Sequence, residues 1–539
     1  MIILNKILKS ISQYQISQYR LILYTAIFFV IFDNISFFQN VLEVYPLEGM
    51  NVVFNISIFL TLIIFIVLLF SLFSSKYTTK PLLIIAVIVS SFTNYFMNTY
   101  HVIIDHAMIR NSLQTNLHES LDLFSITLVL YVVFLGLIPS YLIYKVKVKY
   151  NPIKKEIKEK LKTIVVSIVL IVILILSLSK YYTSFFREHK QLRYYANPTY
   201  WIYGIRTYIK RTYFNGPIIV KAIGTDAEIT NSKHNKIVIM VVGEAARADH
   251  FSLNGYEKET NPLLINDDII NFSNMSSCGT ATAQSVPCMF SIFNRGDYSY
   301  KKGITNENVL DVLKHTKQVN ILWRDNNSDS KGVALRVPYE DYKSSKNNTI
   351  CTEGECRDIG MLVGLDKYIE KNKDKDILIV LHQMGTHGPA YYKRYTKEFE
   401  KFKPVCETNQ LEECTKETIA NGYDNAILYT DYFLDKTIKF LKQYDNRYET
   451  ALIYMSDHGE SLGENGIYLH GLPYFMAPEA QTHIGSFVWF GDKMKKNIDI
   501  EKLTKNKDND FSQDNLFHTL LGIFNVETKV YVKKMDMLK

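Results

Sequence analysis

The sequence predicts two joined folds, an α-helical membrane domain of five spans followed by an α/β/α sandwich. Two observations carry most of this. Five apolar stretches, at about 21–42, 52–73, 81–100, 121–144 and 163–180, crowd the first third of a chain of 539 residues. Each is long enough to cross a bilayer as a helix, which takes roughly 20 apolar residues. Beyond about residue 234, short β-branched runs alternate with longer amphipathic segments. That alternation implies crossover connections and a mostly parallel sheet covered on both faces. The expected organisation is a membrane domain over 1–180, an interfacial linker over 181–234 and an α/β domain over 235–539.

The first apolar stretch has no small-residue cleavage site and is followed by others of its kind, so it is expected to stay in the mature protein. Loops left in the cytoplasm collect Lys and Arg. Lys6, Lys9 and Arg20 precede or open the first stretch, Lys76 and Lys80 flank the 74–80 loop, and eight lysines lie between Lys145 and Lys162. These are the predicted inside segments. The 43–51 and 101–120 loops then lie outside, and an odd number of spans places everything after about residue 180 outside as well. A formal net charge of +7 suits work at an anionic membrane surface.

The 181–234 connector is rich in Tyr and Arg, as in Tyr181-Tyr-Thr-Ser-Phe-Phe-Arg187 and Arg193-Tyr-Tyr. Aromatic and basic side chains together suit the headgroup layer; a solvated linker packed on the soluble domain is the plainer reading. In the second half the strand candidates are Ile237 to Val242, Val319 to Trp323, Ile377 to Leu381, Ala451 to Met455 and Ser486 to Phe490. Helical patterns over 304–316, 358–371 and 418–443 separate several of them.

All six cysteines fall in the proposed outside domain. Short spacings favour pairing of neighbours, Cys278 with Cys288, Cys351 with Cys356 and Cys406 with Cys414, and disulfides persist in oxidising compartments. A zinc site built from these thiols is the rival, but no pair has Cys-x-x-Cys spacing.

Several β-like runs end in residues that ligate metals or handle phosphate. Asp457-His458 follows one strand candidate and Glu244 follows another, two oxygen donors and an imidazole that suit zinc or manganese. His387, His470 and His483 lie in nearby loops, although loop histidines are commonly satisfied by solvent. In Cys278-Gly-Thr-Ala-Thr-Ala-Gln-Ser-Val-Pro-Cys288, a hydroxyl at the start of a helix would face unpaired N–H groups and a positive dipole end. Thr280, Thr282 and Ser285 are all candidates for a nucleophile, and helix capping would explain them equally.

Four longer strings make the resemblance specific: Val242-Gly-Glu-Ala-Ala-Arg-Ala-Asp-His-Phe-Ser-Leu-Asn-Gly-Tyr256, Cys278 to Ser291, Trp323-Arg-Asp-Asn-Asn-Ser-Asp-Ser-Lys-Gly332 and Ser456-Asp-His-Gly-Glu-Ser-Leu-Gly-Glu464. The chain resembles, over nearly its whole length, the lipid A phosphoethanolamine transferases, including the mobile colistin resistance enzymes. The resemblance implies an α/β/α domain of alkaline phosphatase and sulfatase type behind a five-helix anchor. It places the nucleophile on Thr282 and zinc on Glu244, Thr282, Asp457 and His458. Ser328, Lys331, His387 and His470 are implied to line the substrate pocket, with Lys331 and the two histidines assisting catalysis.

In the outside loop, Asn111, Thr115 and Glu119 recur every four residues, so a helix would carry them on one face. They could bind a headgroup amine, and by resemblance this loop holds phosphatidylethanolamine, the donor. The implied acceptor is lipid A, the implied location the bacterial inner membrane with the catalytic domain in the periplasm, and the implied phenotype polymyxin resistance. A monomer with no nucleic-acid partner is expected. A phosphoglycerol transferase or a sulfatase of the same fold would keep the metal residues, but a sulfatase usually supplies Cys or Ser in Cys-x-Pro-x-Arg where this chain has Thr282. An inactive membrane sensor is the non-enzymatic alternative.

Overall fold

The computed structural model describes residues 15–114, 123–187, 189, 191–214, 218–230, 235–352 and 354–539. Lys6, Lys9, Thr115 and Glu119 lie outside the described residues. Two compact units are present. The first contains the described residues up to Ile109 together with Phe124–Lys210. The second contains the described residues of Arg110–Leu123 and of Arg211–Lys539.

In the first unit, Met50–Phe73, Thr79–Tyr100, Ile126–Lys145 and Ile153–Ser177 are each long and apolar enough to cross a membrane. The expected first span is instead a bent pair, Gln18–Phe32 and Ile35–Val44, meeting at 60°, so the count is five if the pair is one span. The break falls at Asp33 and Asn34, both buried. Asn34 donates to the Phe29 and Asn197 carbonyls, and Asn94 donates to Asp33, so side chains from elsewhere in the unit satisfy the interrupted turn. Ile126–Lys145 contains a π-helical stretch, Val132–Leu137, just before Pro139, whose missing N–H breaks the regular ladder. At Gly136 an added Cβ would lie 2.7 Å from Ser91 Oγ, so any larger residue would have to displace the Ser91 hydroxyl for this approach to Thr79–Tyr100.

The lysine-rich segment expected as a loop over 145–162 is largely helical, because the last span already begins at Ile153. Its lysines have a structural use. Lys160 Nζ donates to the Leu72 and Ser74 carbonyls at 2.9 and 3.1 Å, and Lys80 Nζ to the Tyr144 and Val146 carbonyls at 2.7 and 2.6 Å. Carbonyls left unpaired at helix C-termini thereby find cationic donors. The Ile153–Ser177 helix is almost unburied, and its Val165, Val169, Val172 and Leu176 project outward as a lipid-facing surface does. Of the connector, Ser179–Arg187 and Thr199–Tyr213 are helical and residues up to Lys210 belong to this unit.

The second unit is built on a seven-stranded sheet in the order Ile270–Asn271, Ser486–Phe490, Glu449–Ser456, Lys236–Gly243, Asp376–His382, Val319–Asp325, Tyr339–Asp341. The last five run parallel; Ser486–Phe490 is antiparallel to them, and Ile270–Asn271 at the edge is antiparallel to Ser486–Phe490. Alternation along a single strand shows why both faces are covered. Val238, Met240 and Val242 join one apolar core, while Ile237, Ile239 and Val241 join the other. The second core is closed by the long helix Lys416–Lys442, capped at its start by Thr415. All six cysteines are paired, as Cys278–Cys288, Cys351–Cys356 and Cys406–Cys414.

Candidate active site

The parallel strands end level with one another, and that register assembles the site. Gly243 pairs with Ser456, so the next residues, Glu244 and Asp457, leave adjacent strands side by side. Chemistry at the carboxyl ends of parallel strands is the rule for open α/β sheets. At Gly385, φ is +49°, and an added Cβ would lie 3.0–3.2 Å from Glu244 backbone atoms and its Cβ, so the loop beneath Glu244 requires glycine. Thr386 Oγ1 donates to the Glu244 carbonyl at 2.8 Å, and the Tyr423 hydroxyl, from the long helix, donates to the Ala245 carbonyl at 2.7 Å.

Within this frame each acidic or imidazole side chain uses one atom as an anchor and leaves another unused. Glu244 Oε2 accepts from Asn327 Nδ2 at 2.7 Å and from Thr282 Oγ1 at 3.1 Å, while Oε1 is buried without a hydrogen-bond partner. Asp457 Oδ1 accepts from the Ala245 and His458 N–H groups at 3.1 and 2.7 Å, while Oδ2 is likewise unpartnered. His458 Nδ1 lies 2.7 Å from the Gly459 carbonyl and donates to it, so the other ring nitrogen, Nε2, is the one turned to the cluster. That Nε2 is 3.3 Å from Glu244 Oε1, 3.5 Å from Asp457 Oδ2 and 3.4 Å from Thr282 Oγ1. All three side chains are essentially solvent-free.

Two buried carboxylates this close require a positive charge. Burial, then the negative Glu244 beside it, pushes the Asp457 carboxyl up to about 6. Burial opposes the charged form of His458, but Asp457 and Glu244 outweigh it and hold the imidazole up to about 10. A divalent cation would meet the same demand, and the unused Glu244 Oε1, Asp457 Oδ2 and His458 Nε2 all lie within 4.8 Å of one another. The donor set therefore fits a bound metal.

Of the three hydroxyl candidates only one faces this cluster. Thr280 donates to the Leu472 carbonyl, and Ser285 accepts from the Gly279 N–H at 2.9 Å. Thr282 opens the helix Thr282–Met289 and turns its hydroxyl toward Glu244 and His458. The Cys278–Cys288 bridge spans the turn that carries it.

The histidines surround the cluster. His470 packs against His458 with ring centroids 4.2 Å apart and planes tilted by 43°, and its Nδ1 is 3.2 Å from Glu460. His387 lies 5.8 Å from His470, centroid to centroid, and burial pushes its imidazole down to about 3, so it is neutral. His483 bonds the Ser273 carbonyl at 2.8 Å, a structural partner. Ser328 and Lys331 share the loop after Val319–Asp325. Lys331 has φ 49°, is nearly buried and lies 3.9 Å from Asp329. Asn111 sits on the helix His106–Gln114, where the neighbouring Arg110 stacks on Tyr300 at 4.6 Å.

Two supporting elements escape sequence reasoning. Asn327 fixes Glu244 through Nδ2 and also bonds the Gln383 carbonyl at 2.8 Å. Asp325 accepts from Trp323 Nε1 and lies against His382 Nδ1, both at 2.9 Å, tying two adjacent strand ends together. Their only signal is position, since each sits at or just past the end of a strand candidate.

A metal-adapted, buried cluster at the carboxyl edge of such a sheet, preceded by membrane-spanning helices, defines a membrane-anchored enzyme of alkaline phosphatase and sulfatase type. The sulfatase family model matches residues 236–526, and the model for phosphoethanolamine transferase EptA/EptB matches 60–213. Phosphatidylethanolamine transferase Mcr-1 of Escherichia coli is 42% identical over 524 residues, 95% of each chain. The solved integral membrane lipooligosaccharide phosphoethanolamine transferase A (EptA) of Neisseria meningitidis aligns with TM-score 0.93 and 35% identity, covering 97% of this chain and 98% of that one. The C-terminal periplasmic domain of phosphoethanolamine transferase EptC from Campylobacter jejuni aligns with TM-score 0.53 and 44% identity, covering 60% of this chain and 98% of that one. The chain belongs to the phosphoethanolamine transferase family, and it is an enzyme of that kind.

Proposed function

We propose that this enzyme moves phosphoethanolamine from phosphatidylethanolamine to lipid A through a covalent ester on Thr282, with zinc in the cluster, from the periplasmic face of the inner membrane. The observation that supports this most is that two unpartnered, buried carboxylate oxygens, Glu244 Oε1 and Asp457 Oδ2, meet at His458 Nε2, which lies 3.4 Å from the Thr282 hydroxyl. Glu244 Oε1, Asp457 Oδ2 and His458 Nε2 would hold the ion, with Thr282 Oγ1 completing the set. Bound zinc would stabilise negative charge on a hydroxyl oxygen and lower its pKa toward neutrality.

The chain's own residues then account for both halves of a ping-pong reaction. Thr282 Oγ1 gives up its proton and attacks phosphorus, forming an O–P bond while the bond from phosphorus to the glycerol oxygen breaks. Diacylglycerol leaves with a proton, and phosphoethanolamine stays on Thr282. A lipid A phosphate or sugar hydroxyl oxygen next attacks the same phosphorus, the Thr282 O–P bond breaks and Thr282 regains a proton. His387, kept neutral by burial, can accept the acceptor's proton, and His470, oriented by Glu460, can serve the leaving oxygen. Ser328 and Lys331 are assigned to the substrate, Lys331 as a cation for the phosphoryl oxygens. Asn111, with Thr115 and Glu119 on the same predicted face, is assigned to the donor headgroup.

An aminoethyl group on lipid A weakens the attraction of cationic peptides, so polymyxin resistance follows. Mass spectrometry of lipid A from cells with and without this protein tests the reading; added phosphoethanolamine supports it and unmodified lipid A refutes it. A monomer suffices, since one chain supplies every residue named. A soluble fragment of residues 235–539 should retain zinc yet modify far less lipid A than the full chain at matched levels, because tethering makes the encounter with bilayer donor effectively intramolecular. Equal modification by the fragment would show that the membrane half contributes nothing to transfer.

Asn327 gives a separate test of the ligand geometry. Asn327→Ala leaves Glu244 in place but removes its 2.7 Å donor. Zinc affinity should fall roughly 10–100-fold, the usual cost of losing a group that orients a ligand, and excess zinc should restore transfer. Unchanged affinity in a zinc titration would remove Asn327 from the site.

A further inference from the structure

A cavity of about 620 Å³ lies wholly within the first unit. One part of its wall comes from the middle of spans. Ile58, Leu62 and Phe65 sit 8 to 15 residues into the helix that begins at Met50, roughly 12–22 Å along its axis at 1.5 Å per residue. Ile171 and Ile175 of the last span face them. The hydroxyls in this part are already matched to one another, since Tyr182 bonds both Ser57 and Thr61 at 2.8 and 2.7 Å. An occupant there meets hydrocarbon.

The rest of the wall differs in kind. Arg193, Thr199 and Tyr200 also line the cavity, and they come from the segment after the last span. The Arg193 guanidinium rests beside the Tyr194 ring at 5.8 Å, and among the described residues no carboxylate pairs with it. One cavity thus joins a hydrocarbon-like interior to a cation that has no acidic partner among the described residues.

We propose that this cavity is a phospholipid site, holding one acyl chain among Ile58, Leu62, Phe65 and Ile171 with the lipid phosphate against Arg193. The volume supports a single chain, being of the size of small-molecule sites, roughly 300–1,000 Å³, rather than of a whole diacyl lipid. The second chain stays in the bilayer. A guanidinium selects for the phosphate that all glycerophospholipids share, and it matches phosphate in a planar, two-pronged geometry. This inference does not depend on the chemistry at Thr282, and its test reads lipid occupancy rather than transfer.

The full chain in lipid nanodiscs would be irradiated with three probes bearing a photoreactive acyl chain: phosphatidylethanolamine, phosphatidylglycerol and diacylglycerol. Adducts would be mapped on peptides. Ile58 and Leu62 are buried, so labelling there reports the cavity rather than the surrounding lipid. At least one phospholipid should label these positions, and diacylglycerol should label them roughly tenfold less, the effect of one charge-assisted contact. Labelling by both phospholipids would assign recognition to the phosphate alone, and labelling by one would add its headgroup. Ile175→Trp, which fills the cavity, should suppress labelling at Ile58 and Leu62 while adducts on the exposed Leu142 persist; Ile171→Phe serves if the first variant is misfolded. Arg193→Gln should bring phospholipid labelling down to the diacylglycerol level. Labelling of Ile58 and Leu62 that is unchanged by filling, or equal for diacylglycerol and phospholipids, would overturn the proposal.

Discussion

Thr282→Ala is expected to lower transfer by at least about ten-thousand-fold, the scale on which removing a catalytic nucleophile acts. The protein should remain folded and inserted. Thr282 contributes one small side chain and a 3.1 Å hydrogen bond to Glu244, whose Oε2 keeps its second donor, Asn327. The cost in stability is then about 1 kcal/mol. Zinc should also remain, because Glu244, Asp457 and His458 are untouched. Thr280→Ala is the matched control, since that hydroxyl bonds the Leu472 carbonyl and not the cluster; it should be much milder. Lipid A modification at matched membrane levels measures both, and full activity in Thr282→Ala would sink the assignment.

The second large effect is expected from Asp457→Asn. The substitution is conservative by geometry, since an amide oxygen can still accept from the Ala245 and His458 N–H groups that hold Oδ1. What changes is the other atom: the unpartnered Oδ2 becomes an NH₂ group, which cannot ligate a cation. Zinc should be lost, transfer should fall at least about a hundredfold, and added zinc at ordinary levels should not restore it. His458→Ala should behave alike, and a strong chelator should inactivate the wild type until zinc is returned. Elemental analysis decides, and wild-type zinc content in Asp457→Asn would remove this carboxylate from the ligand set.

The sequence shows five of the seven sheet strands to within about two residues, because buried strands are continuous apolar runs bounded by polar ends, whereas Ile270–Asn271 and Tyr339–Asp341 are too short to form such a run. Glu244 and Asp457 are visible for the same reason, as acids directly after such runs. The hydroxyls of Thr280, Thr282 and Ser285 look alike in the chain, and only the fold separates them: two bond backbone groups and one faces acid. Asn327 is invisible beforehand because Asn after a strand is ordinary turn chemistry. The bend in the first span was missed because two polar residues, Asp33 and Asn34, scarcely alter a stretch of that length, and their partners, Asn94 and Asn197, are distant in sequence. Lysines read as loop charge lie on a helix, where their long stems reach the carbonyls of neighbouring helix ends.

The central claim is that phosphoethanolamine passes through Thr282. The full-length enzyme, given phosphatidylethanolamine but no lipid A, would be quenched in acid and digested without reduction, so that Cys278–Cys288 stays linked around the residue. Tandem mass spectrometry of that peptide should place a phosphoethanolamine ester on Thr282, discharged on addition of lipid A and absent from Thr282→Ala. An unmodified Thr282 in enzyme that goes on to modify lipid A, or an adduct on another residue that turns over with lipid A, would contradict it.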